Sequence, residues 1–174
     1  MQAGTRSKVR AAIIATMASM LIGAQGFRND LETRVLASHN RERAILGLQP
    51  MRWNPELARG AQDWANHLAR TGRFEHSPNV PGEPLLGENI WGGTSGVYQP
   101  EGMVGLWIAE KRHFKRGVFP ANSATGRPAD VSHYTQLIWS DTREVGCGLS
   151  KGSEEDILVC RYKSPGNIRG QTPF

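Results

Sequence analysis

Two cysteines in 174 residues are too few for a disulfide-dense scaffold, and no further soft ligand lies near them to complete a structural zinc site. The local signatures HExxH, GxSxG, the phosphate-binding loop and the dinucleotide fingerprint are all missing, so none of those chemistries has its motif here. Internal repeats and low-complexity stretches are absent too. No heptad spacing or self-pairing stripe argues for assembly, and the chain reads as a monomer. Acidic residues are missing before Asp30, and no apolar run reaches the ~20 residues that a membrane span needs.

What fills that acid-free start has a form of its own. Arg6, Lys8 and Arg10 precede an apolar, small-residue run from Ala11 to Ala24, with Gly23, Ala24 and Gly26 at its exit. Basic start, apolar centre and small-residue exit predict a secretory signal peptide over 1–26, cleaved after Ala24 or Gly26, and a single domain over 27–174. The mature chain is then secreted or periplasmic, with no membrane span. Removing 1–26 takes away three basic residues and no acid, which lowers the net charge from +5 to +2. No basic stripe interleaved with aromatics remains for nucleic acid. Lys111, Arg112, Lys115 and Arg116 read as a solvated helix end.

Export also changes the reading of Cys147 and Cys160, since an oxidising compartment favours one disulfide. Residues 143–150 and 156–162 predict two strands joined by KGSEE. A hairpin pairing the cysteines also pairs Leu149 with Leu158 and Val145 with Tyr162, all on one face. Closing that loop is worth about 3 kcal/mol. Two buried thiols are the alternative.

Helices are expected upstream. Residues 29–47 carry Leu31, Val35, Leu36, Ala44 and Ile45, with Asn29 or Asp30 as cap and Gly47 as the end. Residues 54–70 have Asn54 as cap, Pro55 in the first turn, Gly72 after the end, and one stripe of Leu57, Ala61, Trp64, Ala65 and Leu68. Residues 72–87 are turn-rich, 88–91 suit a short strand and 92–96 a loop. A third helix is expected from about Pro100 to Phe114, then irregular chain over 115–131 and a short helix with Ser132 as cap. Helices first, a hairpin last and short strands between predict an α+β layered domain.

Four residues stand out as candidates for chemistry. Glu110 falls on the stripe of Met103, Trp107 and Phe114, where a carboxylate needs a partner; an edge position paired to Lys or Arg is the plainer reading. His133 sits in a first helical turn, which disfavours imidazolium and leaves a ring able to accept a proton or a metal; local packing is its alternative. His76 shares a direction with Phe74 in an extended segment, and read alone is an ordinary buried or capping histidine. Glu88 shares a strand face with Ile90. His39 and His67 read as structural, and His113 lies in a basic helix end. Spacing leaves open whether His76, Glu88, Glu110 and His133 converge. Two neutral imidazoles and two carboxylates in one place would suit zinc or another first-row divalent ion.

The segments HNRERAILGLQPMRWNPELARGAQDWA (39–65), FEHS (74–77), GENIW (87–91), WIAE (107–110), HYTQLIW (133–139), VGCG (145–148) and CRYKSPGN (160–167) together resemble the CAP superfamily. This superfamily holds cysteine-rich secretory proteins, insect venom antigens and plant pathogenesis-related proteins. The resemblance covers nearly all of 33–174 and implies a three-layer α-β-α sandwich. It maps His76, Glu88, Glu110 and His133 onto the His–Glu–Glu–His set lining a central cleft. In relatives the two histidines can hold zinc, with the glutamates contributing directly or through water. The chain departs from plant relatives in keeping two of six cysteines, in Ser132 before the cleft histidine, in Ser164 of the tail, and in a cysteine-free 115–131. Three functional readings follow. The favoured one is a non-enzymatic secreted domain binding a small apolar or lipid-like ligand, or an extracellular or envelope partner, with a modulatory divalent metal. The second is a metal-dependent hydrolase or protease using the same cleft, with Glu88 or Glu110 as general base. The third is a precursor of a C-terminal signalling peptide, SPGNIRGQTPF; a tail packed on the core is the alternative.

Overall fold

A computed structural model describes residues 30–174, so the expected leader over 1–26 and the cap Asn29 lie outside the described residues. Helix α1 occupies residues 30–45, followed by strand β1 (Arg52–Trp53) and helix α2 (Pro55–Thr71). Next come strand β2 (Leu86–Thr94), helix α3 (Pro100–Ala109) and a 3-10 turn at Glu110–His113. A second 3-10 turn, Pro128–Asp130, precedes helix α4 (Ser132–Leu137), and the hairpin β3 (Glu144–Lys151) and β4 (Glu155–Lys163) closes the order. None of the described helices is long and apolar enough to cross a membrane.

The sheet runs β1-β3-β4-β2, with β1 parallel to β3 and the other pairs antiparallel. Its register matches the hairpin expectation: Val145 faces Tyr162, Cys147 faces Cys160, and Leu149 faces Leu158. Cys147 and Cys160 form the disulfide. These six side chains, with Trp91, pack against Leu31 and Val35 of α1, Met103, Val104 and Trp107 of α3, and Tyr134 and Leu137 of α4. The other face presents Ile90, Ile157 and Val159 to Ala61, Ala65 and Leu68 of α2. Helices therefore cover both faces of one sheet, as a three-layer α-β-α sandwich requires.

The VGCG motif follows from that second face. A Cβ at Gly146 would strike the backbone of Asn54 and Ala58, and one at Gly148 the backbone of Gln62. The Gln62 amide also accepts from Leu149 N–H at 3.1 Å and donates to its carbonyl at 3.1 Å, seating the helix on the strand. Helix α2 forms as its sequence predicts, with Asn54 accepting from Glu56 and Leu57 N–H and Gly72 turning left-handed at φ 67°.

Four expectations change. The buried face of α1 is Leu31, Val35, Ser38, His39, Glu42 and Arg43, whereas Ala44 and Ile45 face solvent. Polar side chains hold this face because each has partners: the Arg43 guanidinium donates to the carbonyls of Gln49, Leu137, Trp139 and Thr142. Strand β2 continues through Thr94 where a loop was expected, because β4 offers partners for Gly92, Gly93 and Thr94. Asp156 then takes Ser95 Oγ and Gly96 N–H at 3.0 Å each to make the turn. Helix α3 stops at Ala109, and the chain tightens to a 3-10 turn before Phe114. Ser132 is the first residue of α4 rather than its cap, which is Val131.

Candidate functional site

The four candidate side chains meet as two pairs. His133 enters from the first turn of α4, and its Nδ1 lies 2.6 Å from Glu110 Oε1. The other carboxylate oxygen of Glu110 accepts the backbone N–H groups of His133 and Tyr134 at 3.0 and 3.1 Å. Glu110 thus satisfies the exposed amides that begin α4, the role that sequence reasoning assigned to Ser132. The His133 ring also stacks on Trp107, with centroids 6.0 Å apart and planes 10° from parallel. A carboxylate among apolar neighbours is tolerated here because three donors converge on it.

His76 comes from the extended segment after α2, and its Nδ1 lies 2.9 Å from Glu88 Oε1. Glu88 also accepts from Ser77 N–H at 2.9 Å, from Ser77 Oγ at 2.6 Å and from Arg161 Nε at 3.4 Å. Burial pushes the Glu88 carboxyl up, but the bonds from His76 and Ser77 outweigh it and hold the group below its ordinary value. The same bond raises His76 above the usual imidazole value, against a smaller opposing effect of desolvation. Arg161 was not singled out from the sequence. It stands directly across from Glu88 in the β2–β4 register, and its guanidinium lies over Gly60, where a Cβ would come within 2.5 Å of Nη1 and push that flexible side chain aside.

Both pairs attach to β2 at neighbouring residues. Glu88 receives His76, while Asn89 Nδ2 donates to the His133 carbonyl at 3.1 Å. Strand alternation sends these two side chains to opposite faces. Among the described residues, no three His, Cys, Asp or Glu side chains gather where a metal ion could sit. A pocket of about 310 Å³ opens on the His76 side, lined by His76, Glu88 and Arg161 and by the apolar side chains of Val80, Leu85 and Leu86.

The remaining histidines have local duties. His39 is wholly buried, His67 stacks on Trp64, and His113 accepts from Arg112 Nε. The C-terminal segment is bound to the core. Asn167 takes the Thr135 hydroxyl and donates to the Ser132 carbonyl, Gly166 N–H reaches Gln136, the Pro173 carbonyl accepts from Ser140 N–H, and Phe174 packs on Phe114.

Residues 36–162 match the model of the cysteine-rich secretory protein family. Pathogenesis-related protein 1A of Nicotiana tabacum is 31% identical over 141 residues, 80% of this chain and 78% of that protein. Pathogenesis-related protein 1 of Arabidopsis thaliana is 32% identical over 146 residues, 83% of each chain. Among solved structures, NaASP2 with Zn2+ superposes with a TM-score of 0.70 at 22% identity, covering 83% of this chain and 85% of that one. BmVAL-1 superposes with a TM-score of 0.67, also at 22% identity, covering 83% of this chain and 82% of that one.

Proposed function

The chain belongs to the cysteine-rich secretory protein (CAP) family, and on that premise we propose that it is an exported, non-enzymatic binding domain whose two cleft imidazoles take up a divalent cation, zinc by preference. The observation that carries this reading is the paired geometry. Each imidazole gives Nδ1 to a largely buried carboxylate, which leaves Nε2 as the donor for an ion. Carboxylates behind the ring are the usual outer support of metal-bound histidine, since they set ring orientation and raise ligand basicity. Two imidazoles are a donor type that suits zinc or another first-row ion, and water would complete the coordination. When bound, such an ion supplies a fixed positive charge to the cleft. NaASP2, a structural neighbour, is recorded with Zn2+. Val80, Leu85 and Leu86 give the mainly polar pocket beside His76 an apolar patch, against which the apolar part of a small or lipid-like ligand could rest. The Cys147–Cys160 disulfide supports an oxidising, exported location.

The deciding experiment is zinc titration calorimetry on the purified, chelator-treated chain, beside His76→Ala and His133→Ala. One ion per chain, lost in both variants, is the expected result. Undetectable uptake by the wild-type chain, or loss in only one variant, overturns a shared ion. Turnover of an ester or peptide substrate that depends on the added zinc would instead favour the hydrolase reading. The tail contacts of Asn167, Pro173 and Phe174 favour a C-terminal segment that stays with the domain.

A further inference from the structure

A line of buried polar groups runs from α1 through the sheet to α4 and ends on the backbone of His133. His39 Nδ1 is 2.9 Å from the Val35 carbonyl, which can only accept, so Nδ1 carries the proton. Its ring is wholly buried, and desolvation above all pushes it down to about 4, so at neutral pH it is uncharged and Nε2 can only accept. The Tyr162 hydroxyl, 2.9 Å away, therefore donates to Nε2. Its oxygen is then free to accept from Asn89 Nδ2 at 3.2 Å. That amide nitrogen has a second hydrogen, which reaches the His133 carbonyl at 3.1 Å. The four bonds have one self-consistent assignment, in which Asn89 donates toward both ends: through Tyr162 and His39 to Val35, and directly to His133.

We infer that Asn89 and Tyr162, seated by His39, are positioning residues for His133, and so set how well the cleft holds a cation. The inference rests on the proposed cation site. The geometry gives it force: Glu110 holds His133 by its N–H and its ring, and Asn89 holds the carbonyl of the same residue. Fixed at both ends of its backbone, the residue has little freedom to turn its imidazole away. His76 receives no such support from the relay.

Tyr162→Phe tests this, because it deletes one oxygen and keeps the ring that fills the core. Asn89→Ala removes the last link and serves where the first variant folds poorly. Val159→Ala, on the α2 face of the sheet, is a control that lowers stability without touching the relay. The primary readout is taken on the metal-free full chain: nitrogen-15 shifts of the His133 and His76 rings in long-range proton–nitrogen spectra. In Tyr162→Phe and Asn89→Ala the His133 ring signals should shift and broaden, those of His76 should stay in place, and the zinc dissociation constant should rise about tenfold. The control should leave both rings unchanged. Unaltered His133 signals in the folded relay variants overturn the inference, and so do equal changes in the control. Should the wild-type chain take up no zinc, the cation reading fails alone, since the spectra of the metal-free chain still decide the positioning.

Discussion

His76 and His133 each present Nδ1 to a glutamate, yet 66% of the first side chain is open to solvent and 32% of the second. The His76 pair hangs on a turn-rich segment at the edge strand, and its carboxylate is fastened by Ser77 and Arg161. The His133 pair sits between two helices, stacked on Trp107 and tied to α1 through the sheet. The comparison teaches that one chemical motif can be held in two ways. On one side the carboxylate organises a surface segment. On the other it begins a helix whose placement the whole core shares.

Acid should separate the two sides most strongly. Burial holds His39, on the His133 side, down at about 4 from an ordinary 6.5. Between those values the unfolded chain binds a proton that the folded chain refuses, so stability falls as pH drops through this window. A shift of that size corresponds to on the order of 3 kcal/mol. Urea midpoints at pH 7.5, 5.5 and 4.5 should fall more steeply for the wild type than for His39→Gln.

Removing the carboxylates comes next in size. Glu110→Ala leaves two helix-starting amides and an imidazole without their acceptor, and should cost about 2 kcal/mol of global stability. Glu88→Ala should cost about 1 kcal/mol and act mainly by freeing residues 72–85. Urea denaturation reads the first, and hydrogen exchange across that segment reads the second. Equal global losses with no local change around residue 77 would erase the distinction.

The histidines give the smallest contrast. His76→Ala should stay within about 0.5 kcal/mol of wild type, as exposed substitutions do, whereas His133→Ala should exceed about 1 kcal/mol through lost stacking and hydrogen bonding. His76 should also titrate above 6.5, because Glu88 favours its charged form. The stability from that raised value is present below 6.5 and is lost as pH rises through the folded midpoint. The part from the lowered Glu88 carboxyl is present above 4.5 and is lost as pH falls. Both parts therefore coexist between about 4.5 and the raised histidine value. A proton NMR titration should show the His76 midpoint returning toward 6.5 in Glu88→Gln.

Much of the fold was legible wherever one local rule decided the outcome. The register of Val145, Cys147 and Leu149 against Tyr162, Cys160 and Leu158 followed from period-two alternation around one turn. Helix α2 followed from its cap, its stripe and its closing glycine. Helix α1 was misread along its second half because His39, Glu42 and Arg43 look like surface residues until their partners are known. Those partners lie far along the chain, at Tyr162, Tyr134 and Thr142. His39, Glu42 and Arg43 fall in HNRER (39–43), which opens the first segment of the family resemblance.

The candidate site divides along the same line. Glu110 stood out because a carboxylate on an apolar stripe demands a partner, and family resemblance singled out all four candidates. Arg161 and Asn89 carried no sign of their own, since a strand residue's role depends on which strand lies beside it. The amino-acid sequence by itself determined helix α2, the hairpin register and the layered class, because these rest on periodicity and short-range turn chemistry. Only the tertiary structure decided that the candidates meet two by two, that Glu110 opens α4, and that His133 is anchored from α1. Hydrogen-bond partners across long sequence separations are chosen by packing, and no local spacing encodes them.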